Sequence, residues 1–230
     1  MLNETVKTLL NEQVTKEFYS AYLYLDFADY YAAAGLDGFA HWYEVQAQEE
    51  RDHAMMMRRY LLDNGEQVVL GQVAAPDQTY ADNNAPLLAG LAHERLVTGW
   101  INDIYAAAFA AKDFKTMQFL DWFVKEQGEE EKNAEDLIKK MTLFGQDAKS
   151  LYLLDKDLAA RVYALSANAP AMCPSFRFCK PRKCRRRKQG RSAVRFFSLS
   201  KIYVMEKPAP RRPAGGGPVS TTFFRFSKFF

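Results

Sequence analysis

Residues 46–57 read Gln46-Ala47-Gln48-Glu49-Glu50-Arg51-Asp52-His53-Ala54-Met55-Met56-Met57, and the interpretation of this stretch decides the fold. Extending it at helical spacing in both directions gives Phe39, Tyr43, Gln46, Glu50, His53, Met57 and Leu61, a single face of one helix. Glu50 and His53 lie one turn apart on that face, so a carboxylate and an imidazole point towards the core and can meet at one point. A Glu-x-x-His pair by itself is more often a surface glutamate beside a satisfied core histidine than a pair of ligands. The zinc-protease pattern His-Glu-x-x-His is excluded, because Glu49 stands where its first histidine is required.

Three further stripes supply partners. Glu17 falls on Val6, Leu10, Gln13, Glu17, Ala21, Tyr24 and Ala28, and Glu94 falls on Leu87, Leu91, Glu94, Thr98, Ile101, Tyr105 and Ala108. Gln127 and Glu130 fall on Leu120, Phe123, Gln127, Glu130, Ala134, Leu137 and Met141. Glu17 precedes Glu50 by 33 residues and His53 by 36, and Glu94 precedes Gln127 by 33 and Glu130 by 36. The chain therefore carries one helical-hairpin design twice, with polar residues on the buried face of each of four helices.

The stops and starts agree. Asn3 is the expected N-cap of a first helix running to about Ala34, with Gly35 as its stop. Asp37 is the expected cap of a second helix, which runs to about Asn64 and stops at Gly65. So short a joint makes the two antiparallel neighbours and places Glu17 and Glu50 at one level, about 22–27 Å from the turn. Residues 66–85 have no helical period, but 20 extended residues reach up to about 66–72 Å, more than the length of a helix of about 28 residues. This segment can therefore cross the whole bundle and set the third helix parallel to the second. The third helix has Pro86 in its first turn and continues to about Ala111, and the joint at Lys112-Asp113 leads to a fourth that ends near Phe144 at Gly145. A short amphipathic helix from about Lys149 to Leu165 follows, with Leu151, Leu154, Leu158 and Val162 on one side. The expected fold is all-α, a four-helix bundle with one long crossover and a short fifth helix, in a domain spanning residues 1–167.

At 230 residues and 48% hydrophobic content the chain can build one sizeable core. Its net charge of +3 averages two unlike parts: residues 1–170 hold 15 Lys and Arg against 27 Asp and Glu, and residues 171–230 hold 16 against one. No run of 18 apolar residues is long enough to span a bilayer, and Met1 leads into a polar amphipathic segment rather than a secretory signal. Cys173, Cys179 and Cys184 all lie in the basic part, so the body has no disulfide framework, and a cytoplasmic location is expected.

Carboxylates with one imidazole suit iron, manganese or zinc better than calcium, and a carboxylate bridges two ions through its two oxygens. Di-iron carboxylate bundles take a glutamate from each of two helices and a Glu-x-x-His from each of the other two. Here the second motif is Gln127-x-x-Glu130 and lacks the histidine. Two unequal metal positions are expected, one from Glu17, Glu50 and His53, the other from Glu50, Glu94 and Glu130.

Residues 1–167 resemble a bacterial non-haem ferritin. The resemblance rests on Leu-Asn-Glu-Gln at 10–13, Glu17 to Tyr24, Ala-Gln-Glu-Glu at 47–50 with His53, His93-Glu94, and Glu-Gln-Gly-Glu-Glu-Glu-Lys at 126–132. It implies a homo-oligomeric cage of 24 subunits, oxidation of Fe(II) by dioxygen at an intrasubunit ferroxidase centre, and storage of Fe(III) oxyhydroxide inside. It also implies that Glu49, Glu126 and Glu129 form a third iron site sharing Glu130, that Gln127 adjoins the second iron, and that Tyr24 and Trp122 stand beside the centre. Without it, Glu126, Glu129 and Glu131 read equally well as a solvated helix face. In bacterioferritins a methionine that binds haem directly follows the motif glutamate; here that residue is Arg51, so no haem is expected and Met55-Met56-Met57 reads as packing. His41 and His93 read as structural or surface histidines. Gly128 costs about 1 kcal/mol in a helix and suggests close approach or local distortion beside the ligands.

Residues 168–230 read as a basic tail rich in Phe and Arg and expected to be disordered, with the run Pro181-Arg182-Lys183-Cys184-Arg185-Arg186-Arg187-Lys188 and nine of the 17 phenylalanines. Such a composition can bind phosphate and stack on bases, so nucleic acid is a candidate partner of this part alone. The preferred reading is a nonfunctional extension of the kind that a shifted reading frame or read-through produces. Cysteine spacings of C-x5-C and C-x4-C without a nearby histidine argue against zinc. A di-iron peroxidase is the other alternative, although no electron-transfer cysteine site accompanies the bundle.

Overall fold

The computed structural model describes residues 1–164 and Pro170. Within them are five helices: α1 (Glu4–Ala33), α2 (Asp37–Asp63), α3 (Ala85–Ala110), α4 (Phe114–Phe144) and α5 (Ala148–Leu158). The architecture is all-α, and among the described residues no helix is long and apolar enough to cross a membrane. Everything read from the basic tail, its cysteines included, lies outside the described residues, as does the expected domain boundary at 167.

The helix ends follow their local chemistry, with instructive exceptions. Asn3 caps α1 by accepting from the Thr5 amide at 3.0 Å, and Gly35 takes a φ of +75° in the turn that follows. Asp37, expected to cap α2, is instead its first residue, and Leu36 in the cap position has no side chain able to bond. The missing cap comes from far along the chain: Asp155 Oδ1 of α5 accepts the Phe39 amide at 2.9 Å. The second joint turns on Lys112 at a φ of 55°, and Asp113 then caps α4 by accepting from the Thr116 amide at 3.1 Å. Gly145 ends α4 in right-handed conformation, so glycine's freedom is not what stops the helix there. α5 is shorter than expected. It ends at Leu158, Leu154 and Leu158 are buried, and Val162 is 81% exposed, because the chain leaves the helix to lay Arg161 and Tyr163 against α2.

The crossover runs beside α1 along its whole length. Glu66 Oε1 accepts from the Leu2 amide, Asn11 bonds the backbone of Gln67 and Val69, Thr15 Oγ1 accepts from the Gly71 amide, Tyr80 donates to Asp26, and Asn83 accepts from Tyr30 and Tyr31. The partners ascend together on both segments, so the crossover is parallel to α1. It delivers α3 beside the end of α1, which sets α3 antiparallel to α1 and parallel to α2.

The interior has three storeys. One apolar cluster gathers Leu23, Tyr24, Phe27, Tyr31, Phe39, Tyr43, Leu87, Leu137 and Met141 with Leu154 and Leu158 of α5. The other gathers Val6, Leu10, Val14, Met56, Met57, Leu61, Val97, Ile101, Ile104, Leu120 and Phe123. Met56 and Met57 are thus core packing. Between the clusters, every helix of the bundle contributes polar side chains: Gln13, Glu17 and Ser20 from α1; Gln46, Glu50 and His53 from α2; His93 and Glu94 from α3; Gln127 and Glu130 from α4. All ten are buried. Uncompensated charge in such a layer is costly, so the apolar storeys on either side must hold together a band that would not assemble by itself.

Candidate metal centre

Glu17, Glu50 and His53 each offer a ligand atom within 4.8 Å of the other two, the one such group among the described residues. His53 Nδ1 lies 3.5 Å from Glu50 Oε2, and the His53 ring packs edge-on against Trp122 and Phe123. Each glutamate receives one amide hydrogen from a glutamine four residues earlier on its own helix: Gln13 Nε2 donates to Glu17 Oε1 at 2.9 Å, and Gln46 Nε2 to Glu50 Oε1 at 3.2 Å. Glu17 Oε2 remains buried without a hydrogen-bond partner. A buried oxygen orphaned in this way, on a glutamate grouped with a second carboxylate and an imidazole, fits a cation of hard to borderline character.

Glu94 is organised differently. The Tyr24 hydroxyl donates to its Oε1, and Gln127 Nε2 donates to its Oε2 at 3.1 Å and to its backbone carbonyl at 3.3 Å. Glu130 is buried nearby, and a void of about 20 Å³ between Glu94 and Glu130 is bordered by Tyr24, Gln46 and Gly90. That volume is about what one water molecule requires.

Burial holds protons on this layer when no metal is bound. It pushes the Glu50 carboxyl up to about 8, with Glu94 adding to the effect and the neighbouring Glu17 and Gln46 opposing it. Glu17 is raised well above the ordinary carboxylate range by burial and then by Glu50; Glu130 is raised well above it by burial and then by Glu94 and Glu50. Glu94 is raised by burial against the opposing bonds from Tyr24 and Gln127. Tyr24 is raised in turn by burial and by Glu94. Four acidic groups clustered without a balancing cation can all ionise only if positive charge enters the layer.

The residues of the expected third site come from α2 and α4. Glu49 Oε2 accepts from Arg161 Nη2 at 2.6 Å, Glu126 is half-buried, and Glu129 is exposed and 3.2 Å from Lys125. Burial raises Glu126 and Glu49, and the two repel one another. Glu131 accepts from Thr98 at 2.6 Å. Gly128 shows no close approach, since a Cβ there would have open space. His93 is the structural histidine expected: Ser20 Oγ lies 2.8 Å from its Nε2, Tyr19, Tyr24 and Trp100 surround the ring, and burial pushes it down to about 4. His41 Nε2 lies 2.9 Å from the Arg161 carbonyl oxygen at the surface.

Two sets of participants escaped the sequence reading. Gln13 and Gln46 were visible as Gln-x-x-x-Glu on two buried stripes, a repeat whose meaning is amide-to-carboxylate bonding at i and i+4. Arg161 and Asp155 gave no local signal, because their partners lie more than a hundred residues away.

A four-helix bundle with one long crossover and a buried cluster of glutamates and histidine across its middle defines a metal-binding carboxylate bundle. The chain belongs to the ferritin family: the family model for the ferritin-like domain matches residues 7–144. It is 37% identical over 158 residues to a probable bacterial non-heme ferritin-like protein of Haemophilus influenzae, covering 69% of this chain and 96% of that one. It is also 37% identical over 163 residues to the bacterial non-heme ferritin of Staphylococcus epidermidis, covering 71% and 98%. Among solved structures, an engineered closed form of the Archaeoglobus fulgidus ferritin superposes with a TM-score of 0.69 at 40% identity, covering 71% of this chain and all of that one.

Proposed function

We propose that the chain is the subunit of an iron-storage ferritin that oxidises Fe(II) with dioxygen and retains the Fe(III) product as an oxyhydroxide inside a hollow homo-oligomeric cage, of 24 subunits as the resemblance implies. The observation that carries the proposal is the buried trio Glu17, Glu50 and His53, with ligand atoms within 4.8 Å and one glutamate oxygen without a partner. Glu17, Glu50 and His53 would take one Fe(II); Glu50, Glu94 and Glu130 would take a second, with Gln127 adjoining. Carboxylate ligation favours Fe(III) over Fe(II) and so drives electrons from the metal towards dioxygen. The residues of this chain supply the remaining requirements. The two apolar clusters limit access of water, Gln13 and Gln46 orient the carboxylates, and each carboxyl sheds its proton as the cation arrives.

The test is rapid mixing of Fe(II) with aerobic protein, followed by the absorbance of the Fe(III) product. Glu50→Ala and His53→Ala are expected to reduce the fast phase to the rate of iron in buffer, while sizing shows the same assembly as the parent chain. An unchanged initial rate in both variants would overturn the assignment.

A further inference from the structure

The segment after α5 returns across α2 and brings one long side chain to the edge of the site. Arg161 Nη1 donates to the Trp42 carbonyl at 3.1 Å, and Nη2 donates to Gln46 Oε1 at 2.9 Å and to Glu49 Oε2 at 2.6 Å. The guanidinium lies over the Trp42 ring, 4.2 Å from its centroid. The Arg161 and Glu49 side chains are 13% and 20% exposed, so water screens the pair only weakly. A second anchor follows, as the Tyr163 hydroxyl donates to Asp52 Oδ2.

Gln46 connects this anchor to the ligands. A guanidinium has only donors, whereas a primary amide has one acceptor end and one donor end. While Arg161 donates to Gln46, the amide oxygen must face the guanidinium and the amide hydrogens must face Glu50, whose Oε1 lies 3.2 Å from Nε2. The reversed amide would set an oxygen against a carboxylate oxygen and N–H groups against a cation. Arginine suits the task because its planar fork reaches three acceptors while lying over the Trp42 ring, whereas an ammonium is a compact point charge.

We propose that Arg161 is a positioning residue of the metal centre: through Gln46 it holds the Glu50 carboxylate in the orientation it shares with Glu17 and His53. The proposal rests on the reading of those three as metal ligands. It makes the segment following α5 part of the site's support.

The test is a double-mutant cycle on the full chain, freed of metal and titrated with Co(II), whose visible spectrum reports its ligands. The affinity followed is that of the Co(II) bound in the parent chain and lost in Glu50→Ala. Arg161→Met and Gln46→Leu are each expected to weaken that affinity about tenfold and alter the spectrum. Because one acts through the other, the double variant is expected to bind no more weakly than the weaker single variant. Where Arg161→Met does not fold, Arg161→Lys takes its place, keeping the charge without the fork, and the same non-additivity is expected. Losses that multiply in the double variant, or parent-like affinity and spectrum in Arg161→Met, overturn the role of Arg161. Co(II) binding that survives Glu50→Ala undiminished overturns the site reading itself.

Discussion

At Glu50 burial and the nearby Glu94 favour the acid, whereas the neighbouring Glu17 and Gln46 favour the anion, and the balance leaves the carboxyl titrating at about 8 in the metal-free chain. Its unfolded value is about 4.3, so the folded state binds more protons between the two. The stabilising contribution of the protonated group is complete below about pH 4.3 and is lost as pH rises through 8; Glu17, Glu94 and Glu130 act in the same direction. The midpoint of thermal unfolding of the metal-free protein is therefore expected to fall between pH 6 and pH 8.5. Glu50→Gln, which cannot ionise, is expected to flatten that fall by on the order of 5 °C. Calorimetry across this range checks it, and an equal slope in both proteins would show that burial of Glu50 is not what sets the dependence. The buried polar band was legible in the sequence because a helix repeats every 3.6 residues and buried charge interrupts an apolar stripe visibly. Arg161 was not, since nothing periodic connects it to Gln46, 115 residues away.

The same distinction separates the helices. The four long ones were legible to within a residue or two, because each carries its own apolar stripe. α5 was misjudged by seven residues at its end, and Asp37 was misassigned, for one reason: the contacts of α5 with α2 override local preference. Gly38 is the position on which that contact turns. A Cβ there would lie 1.7 Å from the Asp155 carbonyl oxygen, so any side chain must push α5 outward and weaken the bond from the Phe39 amide to Asp155. Gly38→Ala is expected to destabilise the subunit by about 1–3 kcal/mol. Gly128→Ala is the contrasting case: its Cβ would meet nothing within 4 Å, and removing glycine's backbone freedom from α4 is expected to stabilise by about 0.5–1 kcal/mol. Urea denaturation of the two variants beside the parent chain decides both, and a stabilising Gly38→Ala would mean that α5 does not pack closely on α2.

At the scale of the whole molecule, the charge division matters more than the average. Residues 1–170 carry 27 acidic against 15 basic side chains, and residues 171–230 carry one against 16, so the two parts have net charges of opposite sign. Every ligand of the proposed centre, both apolar clusters and Arg161 precede residue 171, so the chemistry of iron is expected to be independent of the tail. A chain ending at Pro170 is expected to assemble to the size of a cage, to oxidise Fe(II) at the initial rate of the full chain and to retain a mineral core. Sedimentation and iron loading of the two proteins check this. If the tail binds nucleic acid, only the full chain will retain it, and the affinity will fall steeply with added salt, because each phosphate neutralised by lysine or arginine releases counterions. A truncated protein that stays monomeric and holds no iron would overturn the ferritin reading, whereas a truncated protein that oxidises iron normally while the full chain fails to assemble would show that the tail prevents assembly.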